Sequence, residues 1–170
     1  MATNCRKSLE QWELMQSEAR VVRDATVLLE FARTGQLGFL ALGASAQEVE
    51  DGMGKPSGVA DSAARMAAYS DVQLGQSPSG IVGLISVEPD PFTGLLVLPP
   101  PLGSGMQTPA PGLEVFRAYL GRQGLGLESR ELYTPGEFWW VVQGSEVSMA
   151  FDEQGELQTI ASSDRDLLAW

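Results

Sequence analysis

Between residues 8 and 33 apolar side chains return every three or four positions: Leu9, Trp12, Met15, Ala19, Val22, Ala25, Leu29 and Ala32. That spacing predicts one long amphipathic helix. Ser8 is placed to cap it, and Glu10 puts an acid in the first turn, where the helix dipole favours one. Val27, Leu28 and Phe31 widen the stripe, so the second half of the helix is expected to be the more buried. A short apolar connection, 36–43, follows the break at Gly35. Ser45 and Glu48 then form a capping box for a short helix whose inner face carries Val49 and Met53. Gly54, Lys55 and Pro56 end it, a glycine stop followed by a residue that cannot continue the helix.

The period then changes. Residues 57–68 are small and polar and read as loop or weak helix. Residues 69–76 alternate, with Tyr69, Asp71 and Gln73 assigned to one face and Val72 and Leu74 to the other. Residues 77–80 turn the chain into a second strand, 81–87, giving a hairpin. Seven of the ten prolines fall within 89–112, which predicts a linker or crossover with a strand embedded at 95–98. A helix at 113–122 comes next, with Val115, Phe116, Tyr119 and Leu120 turned inward. Four strands then follow at 127–133, 138–143, 146–151 and 157–161, and a last helical turn packs Leu167, Leu168 and Trp170 back on the body.

These elements predict an α+β protein of two similar halves, each with helices packed on an antiparallel β-meander. The expected divisions are an N-terminal helix at 1–35, a first helix-plus-sheet half at 36–90, a Pro-rich linker at 91–112 and a second half at 113–170.

Charge narrows the function. There are 22 acids against 11 bases, a net charge of -11. Phosphates would be repelled, so nucleic acid is not the expected ligand, and a basic partner is. Residues 128–170 carry nine acids and two bases, so most of the excess lies in the last quarter. The chain has no histidine and one cysteine, Cys5. A lone cysteine excludes an internal disulfide framework and favours a reducing, cytoplasmic setting. The start of the chain has no apolar run of a signal peptide, Cys5 has no hydrophobic stretch before it for lipidation, and no segment reaches the roughly 18 to 20 apolar residues of a membrane span.

Chemistry is sparse. Without histidine, a serine nucleophile would need a lysine base, and Lys7 and Lys55 are poorly placed for it. Glu48, Glu50 and Asp51 do not converge on a helix as metal ligands would, and the glycines at 103–105 and 121–126 do not open a helix after a strand as phosphate loops do. No metal, no cofactor and no catalytic residue is therefore assigned. A carboxylate pair for hydrolysis stays open, because spatial pairing does not show in sequence.

The aromatic pair Trp139 and Trp140 is sharper. Neighbours on a strand face opposite ways. Phe138, Trp140 and Val142 share the face expected to meet the core with Val147, Met149 and Phe151. Trp139 takes the other face, near Glu131, Glu137 and Glu146. Two placements follow: a partner-binding anchor on an open sheet face, or a packing residue between the halves. Tyr69 and Asp71 are the matching candidates on the first sheet, as partner contacts or as a solvated strand face.

The stretch from residue 25 to 90 carries a pattern of its own: Leu42-Gly43, Glu48-Val49-Glu50, Gly54-Lys55-Pro56, Tyr69-Ser70-Asp71-Val72-Gln73-Leu74 and Val82-Gly83-Leu84-Ile85. It resembles the immunity proteins of bacterial polymorphic toxin systems. Its helix-helix-sheet grammar is similar to the repeats of β-lactamase inhibitor protein and to small lipoproteins of outer-membrane assembly, without the disulfides of the one or the lipidation site of the other. The resemblance implies a non-catalytic cytoplasmic protein that binds and occludes a cognate toxin with a basic surface, as in toxin-antitoxin pairs. Trp139, Glu137, Glu131, Glu146, Tyr69 and Asp71 are its expected partner-binding residues. An adaptor or chaperone for a secreted effector and a carboxylate-dependent hydrolase are the alternatives. Oligomeric state is not assigned, although an uncovered sheet face would invite a dimer.

Overall fold

The computed structural model describes the backbone of residues 3–61 and 65–168 and the side chains of residues 14–60 and 65–167. Helix α1 (Thr3–Thr34) starts upstream of Ser8, which is therefore inside the helix and does not cap it. Leu9 and Trp12 lie outside the described side chains. Every side chain from 14 to 19 is exposed, whereas Leu28, Phe31 and Ala32 are fully buried. The apolar stripe thus meets the body only over its C-terminal part. Helix α2 (Ala46–Met53) has the expected capping box: Ser45 Oγ accepts from the Glu48 N–H at 3.2 Å, and Glu48 Oε2 accepts from the Ser45 N–H at 2.7 Å. The Ser45 N–H and the Ser45 hydroxyl, both donating to it, hold the Glu48 carboxyl below the usual carboxylate range. Val49 points into the core.

Residues 57–68 are not loop or helix. They form β1 (Gly58–Asp61) and β2 (Arg65–Tyr69), and a tight turn at Ser70 and Asp71 leads to β3 (Val72–Gln76). Small residues such as Ala67 and Ala68 give no strong alternation, yet they suit a strand because Ala67 is covered by the helices. Then come β4 (Val82–Val87), β5 (Leu95–Val97), β6 (Gln107–Pro109), α3 (Leu113–Arg122), β7 (Leu127–Glu131), β8 (Phe138–Val142), β9 (Ser148–Phe151), β10 (Leu157–Ser163) and a short α4 (Arg165–Leu168). Leu167 is half-buried, and Trp170 lies outside the described residues.

The fold is α+β. Eight antiparallel strands form one sheet in the order β1-β2-β3-β4-β10-β9-β8-β7, so the strands before and after the Pro-rich stretch join where β4 pairs with β10. One row of directly opposed residues runs Tyr69, Val72, Val87, Ile160, Met149, Trp140 and Ser129. This is the covered face. Leu28 and Phe31 of α1, Val49 of α2 and Phe116 and Leu120 of α3 pack into the same cluster. Val115, expected inward, is exposed, because on a helix it lies about a quarter turn from Phe116.

The Pro-rich stretch is packed, not a free linker. β5 and β6 pair as a ribbon, and Leu96, Leu98, Leu102 and Thr108 are buried. A carboxylate fastens it. Asp24 of α1 is 1% exposed and accepts from the Ser104 N–H at 2.9 Å, the Ser104 hydroxyl at 2.7 Å and the Thr108 hydroxyl at 3.1 Å. A buried carboxylate is tolerated only when such donors replace its water.

Candidate functional site

On the sheet face turned away from α1, α2 and α3 a second row runs Gly58, Ala68, Gln73, Ser86, Ala161, Ser148, Val141 and Glu128. Its middle is made of small residues. Ser86, Ala161 and Ser148 form a floor over β4, β10 and β9, and all three are buried. Large side chains rise on both sides. Met66 of β2 and Leu84 of β4 stand on one, Trp139 of β8 and Tyr133 on the other, and they enclose a mostly apolar trough of about 400 Å³. Gln73 and Glu88 lie at its rim, with the Gln73 amide donating to Glu88 at 3.0 Å. Arg165 lines it as well and makes no ion pair with a described residue. The trough continues into a smaller hollow of about 250 Å³ that adds Arg130, Glu146 and Ser148.

Trp139 keeps the parity expected of it. It pairs with Arg130 across β7 and β8, on the face opposite Trp140. It is half-buried, and its cover is local, neither open solvent nor a second layer of the fold. Tyr133 takes a left-handed backbone conformation (φ 64°) and sets its ring edge-on to the indole, centroids 5.0 Å apart. The Tyr133 hydroxyl lies 3.2 Å from Ser148 Oγ. The indole Nε1 is shielded from solvent and has no hydrogen-bond partner among the described residues.

No protein-family model matches the chain, and neither a curated protein nor a solved structure matches it.

The other expected contacts separate. Glu146 joins Trp139 on this face: Arg130 donates to it through Nη1 at 2.5 Å, and that bond holds the Glu146 carboxyl below the usual range; Arg130 also pairs with Glu128. Glu131 falls on the opposite face, directly across from Phe138, and accepts from the Gly136 N–H at 2.6 Å. Glu137 is exposed in the 132–137 turn. Phe138, assigned to the core, is 64% exposed at the strand's end.

Tyr69 is a correction. It is 5% exposed and belongs to the helix face. Tyr69 pairs with Val72 across the two-residue turn, where Ser70 adopts φ 54°, so the alternation restarts and Tyr69 and Gln73 end on opposite faces. Burial, reinforced by the nearby Glu50 charge, pushes its hydroxyl pKa up. Asp71 is committed to the fold, accepting from the Val97 N–H at 2.6 Å and so tying the turn to β5.

Met66, Leu84, Tyr133 and Arg165 were not singled out in the sequence. Tyr133 shows no signal there, since only a left-handed residue outside any strand brings it back over Trp139. Trp140, on the covered face, is half-buried beneath the Arg117 guanidinium, 4.7 Å from the ring centre.

A second cleft, about 410 Å³, lies between residues 112–115 and 152–156 and holds Glu114, Asp152, Glu153 and Glu156. Glu114 pairs with Arg117 at 2.8 Å, and Asp152 accepts from the N–H groups of Gln154 and Glu156 in its own turn. Among the described residues no three His, Cys, Asp or Glu side chains gather as a metal site would require, and no helix is long and apolar enough to cross a membrane.

Proposed function

We propose that this protein is a non-catalytic binding protein that engages a partner protein through the trough on the open face of its sheet. The observation that carries the reading is Trp139, a large half-buried aromatic on a concave, mostly apolar surface that α1, α2 and α3 leave open and that α4 borders through Arg165. Aromatic residues in such settings supply most of the energy of protein interfaces. In the form the resemblance gives it, the partner is a toxin whose basic active surface is occluded, and the protein is a cytoplasmic bacterial immunity protein. The net charge of -11 supports a basic partner, since it speeds encounter at low salt. The commitment of Glu114 and Asp152 to local bonds supports a role without turnover. The two meanders, each preceded by helix and meeting through their last strands, support the reading of two similar halves.

The test is co-expression with the products of adjacent genes. The expected result is rescue of growth from one of them, co-purification of the pair, and capture weakened about tenfold or more by Trp139→Ala with the fold intact. Unchanged capture discards Trp139 as the anchor, and turnover of a substrate by the purified protein discards the reading. The adaptor reading has one observation of its own: a trough floored by small side chains admits a segment of unfolded chain. It predicts that peptides from the partner bind as well as the folded partner does.

A further inference from the structure

Helix α1 carries a second row of side chains that the body leaves uncovered. Met15, Ala19, Val22 and Thr26 are all exposed, Met15 at 56% and Val22 at 65%. Steps of four, three and four residues are those of the a and d positions of a coiled coil, with Ala19 and Thr26 at a and Met15 and Val22 at d. Trp12 holds the preceding a position, its side chain outside the described ones. Leu29, the next d residue, packs partly against the core, so the open seam ends near Thr26. Asp24, Leu28 and Phe31, which fasten the helix to the body, occupy f and c positions on its far side. A second helix laid along the seam therefore does not compete with the body for the same face.

The charges beside the seam specify that second helix. Glu18 stands at g and Arg23 at e. Both are exposed, and neither makes an ion pair with a described residue. Neighbours on one helix are three or four residues apart, and these two are five apart, so they do not pair within their own helix. In two parallel helices in register, a g residue lies beside the partner's e residue five positions on. Glu18 of each copy then meets Arg23 of the other. The remaining flanking positions of this stretch, Gln11, Gln16 and Ala25, are uncharged. An antiparallel pair sets g against g and offers Glu18 no opposite charge. We infer that a second copy of this chain packs its α1 in parallel register along Trp12, Met15, Ala19 and Val22, giving a twofold dimer with the two bodies on outer sides of the helix pair. The trough faces away from α1, so the dimer leaves it open, and the inference stands apart from what the trough binds.

Sedimentation velocity on the full chain across a concentration series tests it without any other protein. The expected result is a reversible dimer, which Val22→Glu should abolish by placing two carboxylates face to face in the seam. Glu18→Arg and Arg23→Glu should each raise the dissociation constant about fivefold or more, since each replaces two opposite-charge contacts with two like-charge ones. An equimolar mixture of these two variants should recover the dimer, because the charges of one chain now match those of the other. The chain carrying both changes should recover it as well. Circular dichroism checks that the helix is kept, and Trp139→Ala should leave the dimer unchanged. A chain that stays monomeric throughout, a dimer indifferent to Val22→Glu, or a mixture of the charge variants no more associated than its components overturns the proposal. Such failure leaves capture of a partner by the trough standing or falling by the co-expression experiment alone.

Discussion

Tyr133 meets Trp139 edge-on, the two rings inclined at 74°, and this pair shapes one wall of the trough while shutting the indole N–H away from water. A buried donor without an acceptor costs roughly 1 to 3 kcal/mol. Trp139→Phe removes that donor while keeping an aromatic ring, so the variant is expected to lie within about 1 kcal/mol of the parent in urea unfolding. Tyr133→Ala should instead uncover the indole, seen as a red shift in tryptophan emission and a weaker near-ultraviolet dichroic signal. A loss of several kcal/mol in Trp139→Phe would show that the N–H has an acceptor.

Asp24 joins α1 to a segment 80 residues further on. Removing the carboxylate leaves the Ser104 N–H and the hydroxyls of Ser104 and Thr108 without their shared acceptor. Asp24→Ala should cost about 2 to 4 kcal/mol, the range for breaking a buried hydrogen-bonded charge. Ser104→Ala keeps two of the three bonds and should cost about 1 kcal/mol. Equilibrium unfolding of the two variants separates these values.

The two cases mark what the chain discloses before it folds. The capping box at Ser45 and Glu48 was legible, because its partners lie three residues apart and the geometry is local. The face taken by Trp139 was legible too, since 138–142 is an unbroken strand. Tyr69 was not, because Ser70 and Asp71 make a two-residue turn that resets the alternation. Ala67 and Ala68 hid their strand because small side chains carry no periodicity. Asp24, Tyr133 and Arg165 depend on residues brought together only by the tertiary fold, and no spacing within the chain announces them.

Glu30 supplies a pH dependence. Arg33 donates to its carboxylate at 2.6 Å and the Tyr119 hydroxyl also donates to it, and these bonds hold its pKa below the ordinary carboxylate value. Tyr119, donating to that anion, has its pKa raised. A depressed carboxylate stabilises the fold fully above its unfolded pKa, and the contribution fades as pH falls through the folded value. For a raised tyrosine the contribution is full below its unfolded pKa and fades as pH climbs through the folded one. Glu30→Gln should therefore lower stability at neutral pH and flatten both the acid and the alkaline limbs. Exposure of the Glu30 and Arg33 side chains keeps the effect modest. Melting temperatures of parent and variant across the pH range check this; parallel curves would contradict it.

Gly75 gives a way to reshape the trough from beneath. It lies in β3 between Met66 and Leu84, and a Cβ built on it would stand 2.9 Å from the Leu84 Cβ and 3.4 Å from the Met66 sulfur. The sheet pairs at this point, so the backbone has little room to retreat, and the new methyl must push Leu84. Overpacking of this kind costs roughly 1 to 3 kcal/mol. Because Leu84 and Met66 form the wall facing Trp139, Gly75→Ala should also weaken capture of a partner in the trough. Ala68→Gly, on the same face but outside the trough lining, changes packing without moving that wall. It should lower stability while leaving partner capture unchanged, and comparing the two variants by unfolding and by co-purification separates the shape of the trough from the stability of the sheet.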